Sequence, residues 1–401
     1  MSLKKITPKD MISNPYNTET GQEPPVFVER KIEMDKFKRN LRDTKEGKPR
    51  HLAILGDYGA GKTVLLWRFE NLLKKNGGIP IFVQCYTVSS FKEFYNLLLN
   101  QICQTFPKEK VKGFINRLKT VGLSAVGTGV TLGLKEKDFE PQSTLLGILK
   151  SACQTIQRRK GSRVLVFLID DLHLVTQSLQ SQILEIMRNV FTLLGREKMK
   201  AMLVVSGLPT LFPTLEKLHE AIVSFFEPQR LLYFSYGETN KAVTEPVEEY
   251  GIEWSKEAVR MIYNLSEGNP YYIQLLSYYT FEHLKGRKID TDSVKDGVTE
   301  TLEHLAATKF LNMYESTSDS EKKVLYALFE LGDYSSFTQI VEKSCELGVL
   351  EGTSKKLIRR LYNKNLIEKS NGKYRLSSKL FRRWLEVEKP FLSNGTITSL
   401  Q

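Results

Sequence analysis

Between residues 51 and 206 the chain alternates short unbroken apolar runs with longer stretches whose apolar residues recur every three or four positions. The runs are 51–55, 81–85, 163–170 and 200–206. Short runs with no exposed alternate face predict strands buried on both sides, the condition of a parallel sheet covered by helices. The periodic stretches 31–41, 91–106, 143–157 and 179–194 predict helices with one apolar stripe. Segment 121–137 departs from this rhythm: Val126, Thr128, Val130 and Leu132 alternate, which predicts a small inserted β-hairpin. Beyond Tyr233 the spacing is helical throughout 238–250, 255–265, 271–284 and 291–309, with Asp290 placed to cap the last. Helices over 320–331, 336–347 and 354–363 follow, the third with Thr353 or Ser354 as its cap. Two short strands, 366–369 and 373–376, then flank Ser370-Asn371-Gly372, and Asn-Gly is a strong hairpin signal. Three helices and a hairpin are the outline of a winged helix. Residues 1–25 hold Pro8, Asn14-Pro15 and Pro24-Pro25, which break any helix there, so an irregular arm is expected.

Composition narrows the class. The chain has 401 residues, 41% of them apolar, ordinary for a chain with real cores and long enough for more than one domain. No run of about 18 apolar residues occurs, so no membrane-spanning helix is expected. The basic N-terminus has no apolar core segment, so a secretory signal is not expected either. Cys85, Cys103, Cys153 and Cys345 lie far apart without C-x-x-C spacing. That argues against structural zinc and a disulfide framework, and it fits a reducing, cytoplasmic location. The formal net charge of +12 points to a nucleic-acid partner, with a lysine-rich solvated surface as the alternative.

The candidate chemistry sits in the first half. Gly56-Asp57-Tyr58-Gly59-Ala60-Gly61-Lys62-Thr63 fits the phosphate-loop pattern G-x-x-x-x-G-K-[ST], between a buried strand and a helix opening at Val64. A glycine-rich turn at a helix N-terminus aims backbone N–H groups and the positive end of the helix dipole at one spot. Lys62 is then placed for the β- and γ-phosphates of ATP, and the Thr63 hydroxyl for Mg²⁺. The strongest apolar run ends in Asp170-Asp171. Two carboxylates at the mouth of an apolar strand are costly unless a cation or solvent satisfies them. Asp170 is expected to hold the metal's water shell and Asp171 to polarise the attacking water. His173, close behind, reads as a structural loop residue.

In this combination the chain resembles the AAA+ and STAND-type P-loop ATPases, within the archaeal and bacterial group related to origin-recognition-like replication initiators. Beyond the two motifs above, Phe27-Val28-Glu29-Arg30-Lys31-Ile32-Glu33 is similar to the box that lies near the adenine. The strand ending in Ser206-Gly207 is similar to a sensor-1 strand, and Glu267-Gly268-Asn269-Pro270 to the G-N-P box of a helical lid. The Leu380–Leu385 segment also recurs in the winged helices of such proteins. The resemblance implies an α/β P-loop NTPase core whose parallel sheet carries helices on both faces (26–234), a helical lid (235–315), a winged helix (316–390) and a tail (391–401). It implies ATP contacts from Phe27, Val28, Arg30, residues 56–64, Asn269 and Pro270, and a catalytic role for Ser206. Glu29 and Lys31 depart from the family's Gly and Glu, Ser206 from its Asn or Thr, and 215–228 has no Arg to act on a neighbouring subunit. These departures imply a slow, switch-like ATPase. Arg230, just beyond, reads as a strand-edge residue.

Positive charge gathers at the other end. Lys355, Lys356, Arg359, Arg360, Lys364, Lys369, Lys373, Arg375, Lys379, Arg382 and Arg383 are opposed nearby only by Glu368. On the third C-terminal helix, Leu357, Ile358, Leu361 and Tyr362 form the expected buried stripe, with Lys355, Lys356, Arg359 and Arg360 opposite. Such a helix suits a major groove while Lys373 and the Asn371-Gly372 wing meet phosphates. The resulting reading is an ATP switch that engages duplex DNA. A second reading is an ATP-gated scaffold that binds a protein partner and no nucleic acid, and a third is a helper that oligomerises on duplex.

Overall fold

The computed structural model describes residues 12–19, 23–28, 30–86, 88–105, 123–126, 129–132, 140–157, 163–211 and 224–388. The chain divides into two compact units, one formed chiefly by 29–232 and the other by the N-terminal segments 1–20 and 24–28 with 233–401.

The first unit is built on a parallel sheet. Its strands are β1 (His51–Leu55), β2 (Ile79–Gln84), β5 (Leu165–Asp170), β6 (Ala201–Gly207) and β7 (Phe226–Arg230), in the order β2-β5-β6-β1-β7. Every residue of β1, β5 and β6 is buried, which is why these runs read as unbroken apolar stretches. The edge strands are less apolar, and β7 carries Pro228 where no ladder donor is needed. That edge strand was not legible as a run. Helices α1 (Lys31–Lys45), α2 (Lys62–Lys75), α3 (Phe91–Thr105), α4 (Pro141–Gln157) and α5 (Gln177–Arg196) connect and cover the strands. The stripe of α5, from Leu179 through Ile183, Met187 and Val190 to Leu194, is buried in the main core. Phe37 of α1 stacks on Phe69 of α2 at 4.0 Å between ring centroids. The predicted hairpin is present, with β3 (Leu123–Val126) antiparallel to β4 (Gly129–Leu132).

The second unit is mainly helical. Its first part holds α6 (Tyr236–Glu248), α7 (Lys256–Ser266), α8 (Pro270–Glu282) and α9 (Thr291–Leu305), with Asp290 capping α9 as expected. This stretch is not wholly helical: β8 (Glu253–Trp254) and β9 (Lys288–Ile289) form a small parallel pair. The last predicted helix is also interrupted, by a π turn over Ala306–Phe310 before α10 (Leu311–Glu315). The C-terminal part runs α11 (Asp319–Leu331), β10 (Ser335–Ser336), α12 (Phe337–Glu346), α13 (Glu351–Asn363), β11 (Ile367–Ser370), β12 (Lys373–Leu376) and α14 (Lys379–Glu388). Three strands, not the expected two, form its sheet, in the order β10-β12-β11. Asn371 and Gly372 both have positive φ, as a two-residue hairpin turn demands.

Two local expectations are corrected here. Helix α13 begins a turn early with Leu350 at its N-cap, so neither Thr353 nor Ser354 caps it; both hydroxyls turn back onto the Leu350 carbonyl. Tyr362 is exposed, and Ser354 takes its place in the buried stripe. Residues 12–19 of the N-terminal segment form no helix or strand, and they are anchored within their unit. Tyr16 is buried, its hydroxyl donates to the Val243 carbonyl, and it accepts from Trp254 Nε1 at 3.1 Å. Asn14 donates to Tyr278 O at 3.0 Å and Glu282 Oε1 at 2.8 Å. Among the described residues, no helix is long and apolar enough to cross a membrane.

Candidate nucleotide site

The C-terminal ends of β1, β5 and β6 lie side by side, and their parallel pairing sets the site. Leu55 pairs with Gly207, and Gly56 N donates to Gly207 O at 3.1 Å, so the loop leaves the sheet beside Ser206. In the loop Gly59 and Gly61 have φ of 78° and 88°, a conformation that a side chain strains. Gly61 is the N-cap of α2, and no capping side chain bonds its first turn. The first N–H groups of a helix lack intrahelical carbonyls, so an uncapped start is open to an anion. Asp57 and Tyr58 are exposed, Gly59, Gly61, Thr63 and Val64 half-buried, and Gly56, Ala60 and Lys62 buried.

Lys62 Nζ donates to Gly56 O at 2.9 Å and Asp57 O at 3.1 Å, and it lies 5.7 Å from the Tyr58 ring centroid. Burial pulls its pKa down, opposed by the charges of Asp171, Asp170 and Asp57. The loop lysine and both carboxylates therefore share one electrostatic neighbourhood, as their separate motifs predicted.

Asp170 is fully buried. Its Oδ1 accepts from the Ser206 hydroxyl and from Asp171 N at 3.0 Å. Its Oδ2 is buried with no hydrogen-bond partner. A carboxylate oxygen left in that state costs free energy that a cation would offset. Hard oxygen donors of this kind, a carboxylate with the Thr63 hydroxyl, are what Mg²⁺ takes, alongside phosphate oxygens and water. Among the described residues no cluster of three or more His, Cys, Asp or Glu forms an all-protein metal cage. The residues present thus fit a magnesium ion brought in with a phosphate ligand.

Asp171 follows with φ 55°, a left-handed conformation that few non-glycine residues adopt, Asp more readily than most. Burial, then the Asp170 charge, push its pKa up to about 6, with Lys62 opposing. A carboxylate so placed is a better proton acceptor near neutral pH than an ordinary one. The Ser206 hydroxyl donates to Asp170 and accepts from Asp171 N at 3.1 Å. In this arrangement Ser206 holds the Asp170 carboxylate and the Asp171 backbone, and its proton is directed at Asp170.

The residues of the adenine-side box are shared between the two units. Phe27 and Val28 group with the helical unit, whereas Arg30 belongs to the sheet unit. Arg30 is buried, donating to Ala60 O at 3.0 Å and Leu232 O at 2.6 Å, so it braces the phosphate loop. Glu29 and most of 215–228 lie outside the described residues; Arg230 is exposed at the end of the edge strand. Asn269 and Pro270 are in the helical unit, where the Asn269 side chain caps α8 through Tyr271 N and Tyr272 N and Pro270 takes the first helical position. His173 lies beside Asp171 and Tyr58. Burial, then Lys62, lower its pKa to about 4, so the ring is neutral.

Lys355, Lys356, Arg359, Arg360 and Lys373 are all exposed, the first four on α13 and the last at the start of β12. Other members of the basic cluster are held internally. Lys364 pairs with Glu321 at 2.9 Å, Arg382 covers the Phe329 ring at 4.9 Å, and Arg375 is clamped by Glu267 and Glu368.

Comparison with known proteins agrees with this geometry. Residues 26–205 match the AAA ATPase domain. No curated protein matches the chain by sequence. Among solved structures, the Walker-type ATPase PABY2304 of Pyrococcus abyssi is 14% identical and aligns with 90% of this chain and 96% of its own, at a TM-score of 0.63. The Aeropyrum pernix Orc1 protein, solved in complex with DNA, is 16% identical over 92% of this chain and 95% of its own, at a TM-score of 0.46. The Pyrococcus abyssi likeness bears on fold alone, and it extends over both units. The phosphate loop, strands β1, β2 and β5 and the paired carboxylates all lie within the matched residues 26–205.

Proposed function

We propose that this protein is an ATP-driven molecular switch that binds Mg²⁺–ATP at residues 56–64, hydrolyses it slowly, and engages duplex DNA through a C-terminal winged helix. Lys62 holds the β- and γ-phosphates, Thr63 and Asp170 the magnesium, and Asp171 the attacking water. Ser206 orients the Asp170 carboxylate, and Arg30 supports the loop through Ala60 O. The core is taken as 26–234, the lid, with Asn269 and Pro270 at its box, as 235–315, and the winged helix as 316–390. The described cysteines are all free, which suits a reducing cytoplasm. The observation that carries the reading is the orphaned Asp170 Oδ2 in the same neighbourhood as Lys62.

The test is titration of the full-length protein with Mg²⁺–ATP, together with steady-state phosphate release. Wild type should bind and turn over slowly. Lys62→Ala should weaken binding at least about tenfold, since it removes the one lysine that the loop offers the phosphates. Equal affinity in the variant would reject the site.

The scaffold reading has one observation in its favour. Leu350 is 76% exposed, and Phe337 and Tyr362 are exposed on the same C-terminal part, as a protein-docking surface would require. Duplex affinity that falls steeply with salt supports phosphate contact; no binding at low salt leaves the scaffold and its protein partner. An ATP-dependent rise in mass on duplex would mark the oligomerising form.

A further inference from the structure

His173 sits in a 3₁₀ turn, Leu172–Leu174, that directly follows the carboxylate pair. Its side chain is 6% exposed, and neither ring nitrogen has a hydrogen-bond partner. An imidazole buried in that condition is less stable than one whose ring nitrogens are satisfied. A phenyl ring would fill the space without the penalty, so packing does not account for a histidine here. Its surroundings point to another role. Nδ1 lies 3.9 Å from Asp171 Oδ1, and the ring meets Tyr58 edge-on with centroids 5.3 Å apart. Tyr58 is a phosphate-loop residue whose ring lies beneath the Lys62 ammonium. The histidine thus touches the loop on one side and the water-side carboxylate on the other.

We propose that His173 is a positioning residue for ATP hydrolysis, donating from Nδ1 to Asp171 Oδ1 in the nucleotide complex so that the other carboxylate oxygen faces the attacking water. The assignment rests on the hydrolytic reading above. The gap to close is short, and catalytic hydrogen bonds are often long before the ligand arrives. Asp171 is suited to such a hold. Its backbone is pinned by the bonds from its N–H to Asp170 Oδ1 and Ser206 Oγ, which leaves the side-chain torsions as the freedom to be fixed. Through Tyr58 the same ring senses the loop that grips the phosphates, so the carboxylate is set when the loop is filled. Asp171 keeps the role of proton acceptor; His173 exchanges no proton with substrate.

The experiment compares wild type, His173→Phe and His173→Ala in full-length protein by Mg²⁺–ATP titration, steady-state turnover and thermal unfolding. Phe keeps the ring contact with Tyr58 and loses the nitrogen. It should bind Mg²⁺–ATP within about threefold of wild type, keep its KM, lower kcat about tenfold or more, and melt no lower than wild type. The Ala variant should lose kcat similarly and recover part of it with added imidazole. A Phe variant with wild-type kcat overturns the proposal. So does an Ala variant that imidazole fails to restore, which decides the matter even if the Phe ring is not accommodated. If wild type itself shows no magnesium-dependent turnover, the hydrolytic reading falls and takes this role with it. If wild type turns over and the variants match it, only His173 is reassigned.

Discussion

Single side chains in this molecule are placed by what surrounds them more than by what precedes them in sequence. Asp170 is read from sequence as a metal-side carboxylate; the structure adds that one oxygen is tied to Ser206 while the other has no partner. His51 is the opposite case, a polar residue with a purely structural role. It opens β1, accepts from Leu203 N at 3.0 Å and stacks on Phe225 at 4.2 Å. Burial holds its pKa at about 3, below the ordinary histidine value near 6.5. As pH falls through about 6.5, the unfolded chain takes up a proton that the folded chain refuses, so stability is full above that value and is lost between there and about 3. In His51→Asn, which keeps an acceptor for Leu203 N, this loss should disappear. The stability difference between wild type and variant should therefore shrink by about 2 kcal/mol on going from pH 7.5 to 5 in denaturant titrations. A constant difference across that range would show that His51 does not carry the effect.

At the scale of elements, periodicity located most helices and the central strands, because both report one-sided or two-sided burial directly. What it missed were elements whose residues carry no such imprint: the edge strand β7, the two-residue strands β8, β9 and β10, and the start of α13. Helix α13 nonetheless presents the surface that its spacing predicted. Ser354, Leu357, Ile358 and Leu361 are buried, and Lys355, Lys356, Arg359 and Arg360 are exposed on the other side. On the DNA-binding reading, Arg359→Ala with Arg360→Ala should lower duplex affinity at least about tenfold near 0.1 M salt and flatten the salt dependence by up to about two counterions. Mg²⁺–ATP affinity should be unchanged. Fluorescence anisotropy with a labelled duplex reads both the affinity and the slope, and unaltered binding would remove α13 from the interface.

For the whole molecule, the decisive features join residues far apart in the chain. Arg375, one of the basic residues near the C-terminus, is clamped by Glu368 across the hairpin and by Glu267 from the turn before α8. Glu267 Oε2 also accepts from Lys379 N at 3.0 Å, at the start of α14. Glu267 itself has φ 54°, and a side chain on its neighbour Gly268 would strike the Phe234 carbonyl at 2.1 Å. The turn is therefore held in a conformation that only glycine permits at 268, and it presents Glu267 to the hairpin. Glu267→Ala should leave Arg375 with Glu368 alone and destabilise the helical unit by about 1–2 kcal/mol, less than a fully buried pair because solvent reaches both side chains. The midpoint of its thermal transition should drop by about 2–8 °C. An unchanged transition would mean that the clamp contributes specificity of orientation and no net stability.

The phosphate loop, the carboxylate pair, the central strands and the basic helix were all determined by the sequence alone, because each is a local pattern: fixed spacing in one turn, an unbroken apolar run, or one face of one helix. Tertiary structure decided the rest. It put Arg30 on Ala60 and His173 beside Asp171, gave the Ser206 proton to Asp170, buried Tyr16, and took Lys364, Arg375 and Arg382 out of the free positive surface. Whether a polar group faces solvent, a ligand or an internal partner depends on groups brought beside it by packing, and no local spacing encodes them.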